Sequence, residues 1–164
     1  MRVMPTLVAA IFALVQIALV ASFTSAAELD DLQALRCVAT TVKIDEEPHA
    51  RRAITDRELS DSLIVALRSK LPRLSIDQSC PNLLLAFATV GESSSGPSLA
   101  VGLVQLQLYR QATLSEVGRS ASVGVWNLMH HSWGPGPGAK RRVIQGLEEL
   151  VTRFAADYYR AGTL

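Results

Sequence analysis

The chain has 164 residues, 49% of them hydrophobic, with 16 Lys and Arg against 15 Asp and Glu for a net charge of +1. This near balance argues against a general polyanion binder, which would carry a basic face or stripe, so nucleic acid is not an expected partner. The length suits one domain with one core.

In chain order the first feature is a leader. A short start with the single charge Arg2 runs into the apolar stretch Thr6 to Phe23, broken only by Gln16, and then into Thr24, Ser25, Ala26 and Ala27. Small residues at 25 and 27 fit the pocket of signal peptidase, so residues 1–27 read as a secretory signal peptide, with Glu28 the new N-terminus and residues 28–164 a single exported α+β domain. The competing reading is an uncleaved anchor, for which this apolar run is at the lower limit of length. Cleavage removes one basic residue and no acidic one, leaving 137 residues with 15 charges of each sign. Neither cysteine follows the apolar run directly, which speaks against a lipoprotein. Cys37 and Cys80 both lie in the exported part, where two nearby thiols oxidise, and a disulfide between them is expected. Closing a loop of about 44 residues stabilises by up to roughly 4 kcal/mol in the chain-entropy account. Two separate buried thiols are the alternative.

Leu35 to Asp45 alternates Val38, Thr40, Val42 and Ile44 on one side and predicts a strand. Glu46 to Ile54, with Pro48, His49, Arg51 and Arg52, reads as a loop. Thr55, Asp56, Arg57, Glu58 is a capping box that starts a helix, whose apolar face is Leu59, Leu63, Ile64, Leu67 and Leu71 and which Pro72 stops. Leu74 to Ile76 is a short strand; Asn82 to Val90 is a stronger one, apolar enough to be buried on both faces and flanked by strands. Gly91 to Pro97 is a solvated link. Ser98 to Gln111 alternates Val104, Leu106 and Leu108 with Gln105, Gln107 and Tyr109, and after a turn at Gly118 the strand Ser120 to Leu128 returns antiparallel. Gly134 to Gly138 breaks regular structure and leads into a final helix, Ala139 to Ala161, with a stripe of Val143, Leu147, Leu150, Val151, Phe154 and Tyr158 and with Gly162 after its end. This order predicts an α+β sandwich: a mostly antiparallel sheet of four to five strands with two amphipathic helices packed on one face.

The pattern resembles small exported bacterial proteins of unknown function that have a strand, a capped helix, a meander ending on a tryptophan strand, a glycine-rich link and a C-terminal helix with Phe-x-x-x-Tyr. The residues carrying it are Thr55 to Leu71, Leu83 to Val90, Leu103 to Leu108, Val125-Trp126, and Leu150-Val151 with Phe154 to Tyr158. The resemblance implies a fold and an exported compartment, and no reaction. His130-His131 and the Gly-Pro-Gly-Pro-Gly run depart from it.

No catalytic, cofactor or metal motif stands out. His130 and His131 point to opposite faces of a strand, so they do not easily share an ion, and His49 is distant in sequence. The serines between Gly91 and Gly96 lack the order of a nucleophile elbow. Gly134 to Gly138 followed by Lys140, Arg141 and Arg142 lacks the spacing of a phosphate loop, and basic residues there oppose the helix dipole at a small cost. The remaining feature is an apolar stretch on the open sheet face. Leu99, Val101 and Leu103 share the side of Gln105, Gln107 and Tyr109, and Leu99, Val101, Leu103 and Tyr109 form a candidate partner surface unless residues 28–34 or a loop cover it. The function this favours is a non-catalytic exported binding or envelope-assembly module with an unknown protein or envelope partner and no cofactor. The alternatives are an enzyme with an unrecognised site and a signal-anchored envelope protein.

Overall fold

A computed structural model describes residues 32–46, 48–92, 99–114 and 118–162. The signal segment, the proposed cleavage site and most of the link from Gly91 to Pro97 lie outside the described residues.

Five strands form one mixed sheet: β1 (Cys37–Ile44), β2 (Ser75–Ile76), β3 (Leu83–Glu92), β4 (Leu99–Leu114) and β5 (Arg119–Pro135). Their spatial order is β2-β1-β3-β4-β5. The long pairings are antiparallel, Leu83–Glu92 with Ala100–Tyr109 and Leu99–Leu114 with Arg119–Pro135. β1 runs parallel to both neighbours. Parallel pairing needs a crossover rather than a tight turn. The chain supplies it between β1 and β2 with two helices, α1 (Pro48–Ala53) and α2 (Asp56–Lys70). A third, α3 (Ala139–Ala161), closes the chain.

α2 begins as its sequence dictates. The Thr55 hydroxyl accepts from the Glu58 amide at 3.3 Å, and the Glu58 carboxylate accepts from the Thr55 amide at 3.0 Å. Leu59, Leu63, Ala66 and Leu67 are buried. α3 has the predicted bounds, and Val143, Leu147, Leu150, Val151 and Phe154 are all buried. Both helices lie on one side of the sheet, against Val38, Leu84, Ala86, Ala88, Val104, Leu106, Leu108 and Trp126. The Phe154 ring meets Trp126 edge-on, with centroids 4.8 Å apart. The Trp126 indole N–H donates to Asp157 at 3.1 Å, so the one polar atom of that buried ring is satisfied. The Tyr159 hydroxyl donates to the Lys70 carbonyl at 3.1 Å, which supplies a partner for the C-terminal end of α2.

Three sequence expectations are corrected. Part of the predicted loop from Glu46 to Ile54 is the helix α1: a proline opens it, where the missing N–H costs nothing, and the Ile54 amide donates to the Ala50 carbonyl at 3.1 Å. Ala50 and Ile54 are buried, and six residues are too few for a helical period to show in sequence. β3 is buried on one face only. Leu84, Ala86, Ala88 and Val90 are covered, while Leu83, Leu85, Phe87 and Thr89 are half-buried on a face that no described element layers. The last strand does not stop at Leu128 but continues to Pro135, because β4 offers pairing partners back to Leu99. Pro135 is tolerated because β5 is an edge strand. A single 3-10 turn, Gly136–Gly138, then joins it to α3.

Candidate binding surface

Cys37 and Cys80 are joined by a disulfide, S–S 2.06 Å and Cα–Cα 6.0 Å. The bond links the start of β1 to the residues just before β3, its parallel neighbour. The same corner is held by Asn82, whose side-chain amide donates to the Cys37 carbonyl at 3.2 Å. Gln78 donates to the Thr40 carbonyl at 3.2 Å. Asp77 accepts from the Ser79 amide and hydroxyl, and these bonds hold its carboxyl below the usual carboxylate range.

The sequence-derived surface residues do share one face of β4. Leu99 is 40% and Val101 46% exposed, while Leu103 and Tyr109 are half-buried. Tyr109 stands apart from the other three: Gln105 and Gln107 intervene, and its hydroxyl donates to the Gln107 side chain at 2.5 Å. The register adds residues that the sequence reading left out. Val101 pairs with Trp133, Gln105 with Met129, and Leu99 with Pro135. Trp133 is 76% exposed and Met129 43%. Leu99, Val101, Leu103, Met129 and Trp133 therefore make a mainly apolar patch on the side of the sheet away from the helices, with His131 opposite Leu103 in its middle and the half-buried Phe87 beside Gln105. The signal was present in the sequence, since Asn127, Met129, His131 and Trp133 alternate with Trp126, Leu128, His130 and Ser132. The early strand stop at Leu128 concealed it.

The segment before β1 bears on what covers this patch. Leu32 and Leu35 are buried in the helix-side core, and the Tyr158 hydroxyl donates to the Leu35 carbonyl at 3.3 Å. Residues 32–35 therefore belong to the opposite side of the sheet.

Other chemistry-bearing groups are engaged locally. His130 faces the helices, its Nδ1 3.2 Å from Glu149 Oε2, while His131 lies exposed on the other face. The His130 imidazole lies so close to α3 that a Cβ on Gly146 would come within 2.7 Å of its Cδ2, so any larger residue there would push the ring aside. Glu149 also receives Arg153 at 2.6 Å. Between α2 and α3 a shallow groove of about 560 Å³ is lined by Val65, Ser69, Gln145, Glu148 and Thr152, with Thr152 donating to the Glu148 carbonyl at 2.8 Å. Among the described residues no group of three or more His, Cys, Asp and Glu side chains is placed to hold a metal ion.

The basic start of α3, unexplained by sequence, has partners. Arg142 folds back to donate to the Gly134 carbonyl at 3.0 Å and the Pro135 carbonyl at 2.9 Å. Lys140 pairs with Glu58 of the α2 capping box. The Lys140 hydrogen bond, with those from Thr55, holds the Glu58 carboxyl down from 4.5 to about 2. These contacts offset the unfavourable placement of positive charge at a helix N-terminus.

No protein-family model matches the chain, and no characterised protein matches it by sequence. The hypothetical protein CT253 from Chlamydia trachomatis is similar in fold, with a TM-score of 0.50 at 10% identity over 76% of this chain and 98% of that one. PelC from Paraburkholderia phytofirmans, a dodecamer, has a TM-score of 0.44 at 16% identity over 73% of this chain and 86% of that one. A minor lipoprotein from Acinetobacter baumannii has a TM-score of 0.44 at 16% identity, over 75% and 92%. At such identities the likeness is one of fold.

Proposed function

We propose that this chain is a non-catalytic exported module that binds an envelope protein through the open face of its sheet. The observation carrying the reading is the apolar patch of Leu99, Val101, Leu103, Met129 and Trp133, whose largest ring is 76% exposed. Exposed apolar clusters on a folded domain mark contact sites more often than scattered single residues do. Export is supported by the leader sequence and by the Cys37–Cys80 disulfide, which persists in oxidising compartments. No described helix is long and apolar enough to cross a membrane.

The test places a photo-crosslinking residue at Val101 or, as a control, at Arg68 on exposed α2, in the full chain expressed in the cell that makes it. Val101 should give a discrete crosslinked product and Arg68 none. Val101→Ser with Trp133→Ser should abolish the product made from a crosslinker at Leu99 without moving the unfolding midpoint. Equal products from Val101 and Arg68 would reject the open face as the binding surface. N-terminal sequencing of the exported protein should begin at Glu28; a retained Met1 would favour the anchor reading.

A further inference from the structure

The two edges of the sheet are unlike. One is β2, only two residues long, and the other is the 17-residue β5. An open strand edge presents a row of unpaired N–H and C=O groups, and proteins normally blunt it with lysines, inward charges or prolines. β5 carries few of these: it contains no Lys, Asp or Glu, and its one permanent charge is Arg119 at one end. At the other, Pro135 and the Arg142 bonds to the Gly134 and Pro135 carbonyls close the edge, so that between them a single bulge is the one interruption. Its register shift opposes Trp126 to Leu108 and Gly124 to Tyr109, so Val125 bulges. Beyond Tyr109, β4 has no β3 residue left to pair with, and Arg110–Leu114 with Arg119–Val123 forms a two-stranded arm. Val123 on this arm is 41% exposed. A two-stranded ribbon without further support is marginally stable.

We propose that β5 pairs antiparallel with β5 of a second copy, about a two-fold axis at Asn127, joining two five-stranded sheets into one. This register uses nearly the whole strand and, with the bulge at Val125 counted out, sets like faces together. On the open face Gly124, Ser122 and Ser120 then lie opposite Met129, His131 and Trp133 of the mate, small residues against large ones. On the helix face Trp126 meets Leu128, Val123 meets His130, and Ala121 meets Ser132. Arg119 lies opposite Gly134, whose carbonyl is held by Arg142, so the two arginines mark the ends of the paired stretch, and each arm gains a third strand. Such a two-fold contact is closed and self-complementary, which limits the assembly to a dimer. The inference goes beyond the open-face reading and does not depend on it, because it rests on the backbone groups of the edge, although Met129 and Trp133 belong to both surfaces.

The test uses the full exported protein, purified oxidised, by sedimentation velocity between about 1 and 100 μM, where a dimer is expected. Asn127→Cys is placed opposite its own mate, with a Cα separation of about 4.5–5.5 Å in an antiparallel pair, and should form an intermolecular disulfide. Ser122→Cys is equally exposed, but its mate lies roughly 27 Å along the paired strand, and it should stay uncrosslinked. Peptide mapping should find Cys37–Cys80 intact in both. A monomer at the highest concentration, equal crosslinking of both variants, or a dimer in which Asn127→Cys does not crosslink would overturn the proposal. In the last case, dissociation by Val101→Ser and Trp133→Ser would mean that the open faces pair with each other instead.

Discussion

The two faces of the sheet are made by the same strands, and alternate residues went to different ends. On the helix side Leu84, Ala86, Ala88, Val104, Leu106 and Leu108 are each 1% exposed or less. On the other side, the interleaved positions hold Leu83, Leu85, Phe87, Gln105 and Gln107 at half burial, and Val101 and Trp133 in the open. Fully burying a large apolar side chain stabilises by roughly 1.5–3 kcal/mol, so the stability of the fold is concentrated on the covered face. The open face contributes less to stability and is correspondingly free to meet a partner. Apolar character alone does not separate the two, since both carry leucine, valine and tryptophan; what separates them is whether α2 or α3 supplies a complementary stripe.

The largest expected effect breaks the comparison by mutating one aromatic on each face. Phe154 is fully buried against Trp126, and truncating a buried Phe typically costs about 3–5 kcal/mol. Phe154→Ala should therefore lower the urea midpoint sharply. Trp133→Ala on the open face should change stability by less than about 0.5 kcal/mol, because its ring is already in water. Equal destabilisation by the two variants would mean that the open face is packed in solution and is no binding surface.

A smaller effect sharpens the same contrast at the other end of the sheet. The pairing of β1 with β3 is parallel, so no tight turn holds it, and the disulfide joins the two near their starts. Replacing Cys37 and Cys80 together by alanine should cost about 2–4 kcal/mol, chiefly by freeing the unfolded chain. Amide exchange should then rise most at β1 and β2, beyond the general rise that the lower global stability gives the β4–β5 hairpin. Uniform acceleration across all five strands would show that the bond stabilises the domain as a whole rather than this corner.

Much of this architecture was legible because its signals are local. The Thr55–Glu58 box, the stop at Pro72 and the stripe from Val143 to Tyr158 each follow from spacing within a few turns, and α2 and α3 formed where these placed them. The parallel pairing of β1 was hidden, since nothing in its own alternation tells which neighbour it meets or in which direction. α1 was missed because a six-residue helix has less than two turns in which to show a period. The candidate surface was half read. Leu99, Val101 and Leu103 stood out on β4, but Met129 and Trp133 join them only through the register across the hairpin, which pairs Gln105 with Met129 and Val101 with Trp133, and a histidine pair followed by glycines and prolines looked like the end of a strand.

The smallest effect concerns the point where the two long helices meet. Glu58 closes the α2 capping box and receives Lys140 from the first turn of α3, so one carboxylate serves both helix starts. The Lys140 and Thr55 hydrogen bonds lower its pKa from 4.5 to about 2 in the folded protein. A carboxyl with a depressed folded pKa stabilises the fold above its unfolded value, and that contribution is lost as the pH falls through the folded one. Wild type should therefore be more stable than Glu58→Gln at pH 6, and the difference should shrink below about pH 4.5 and vanish near pH 2. Lys140→Met should remove part of the difference, because the Thr55 bonds remain. Salt should remove part as well, since the pair is solvent-exposed and screened. Chemical unfolding of the three proteins at pH 6, 4 and 2.5 reads this directly. A Glu58→Gln deficit that persists unchanged at pH 2.5 would assign the residue's role to the shape of the cap rather than to its charge, and α3 would then be docked by its apolar stripe alone.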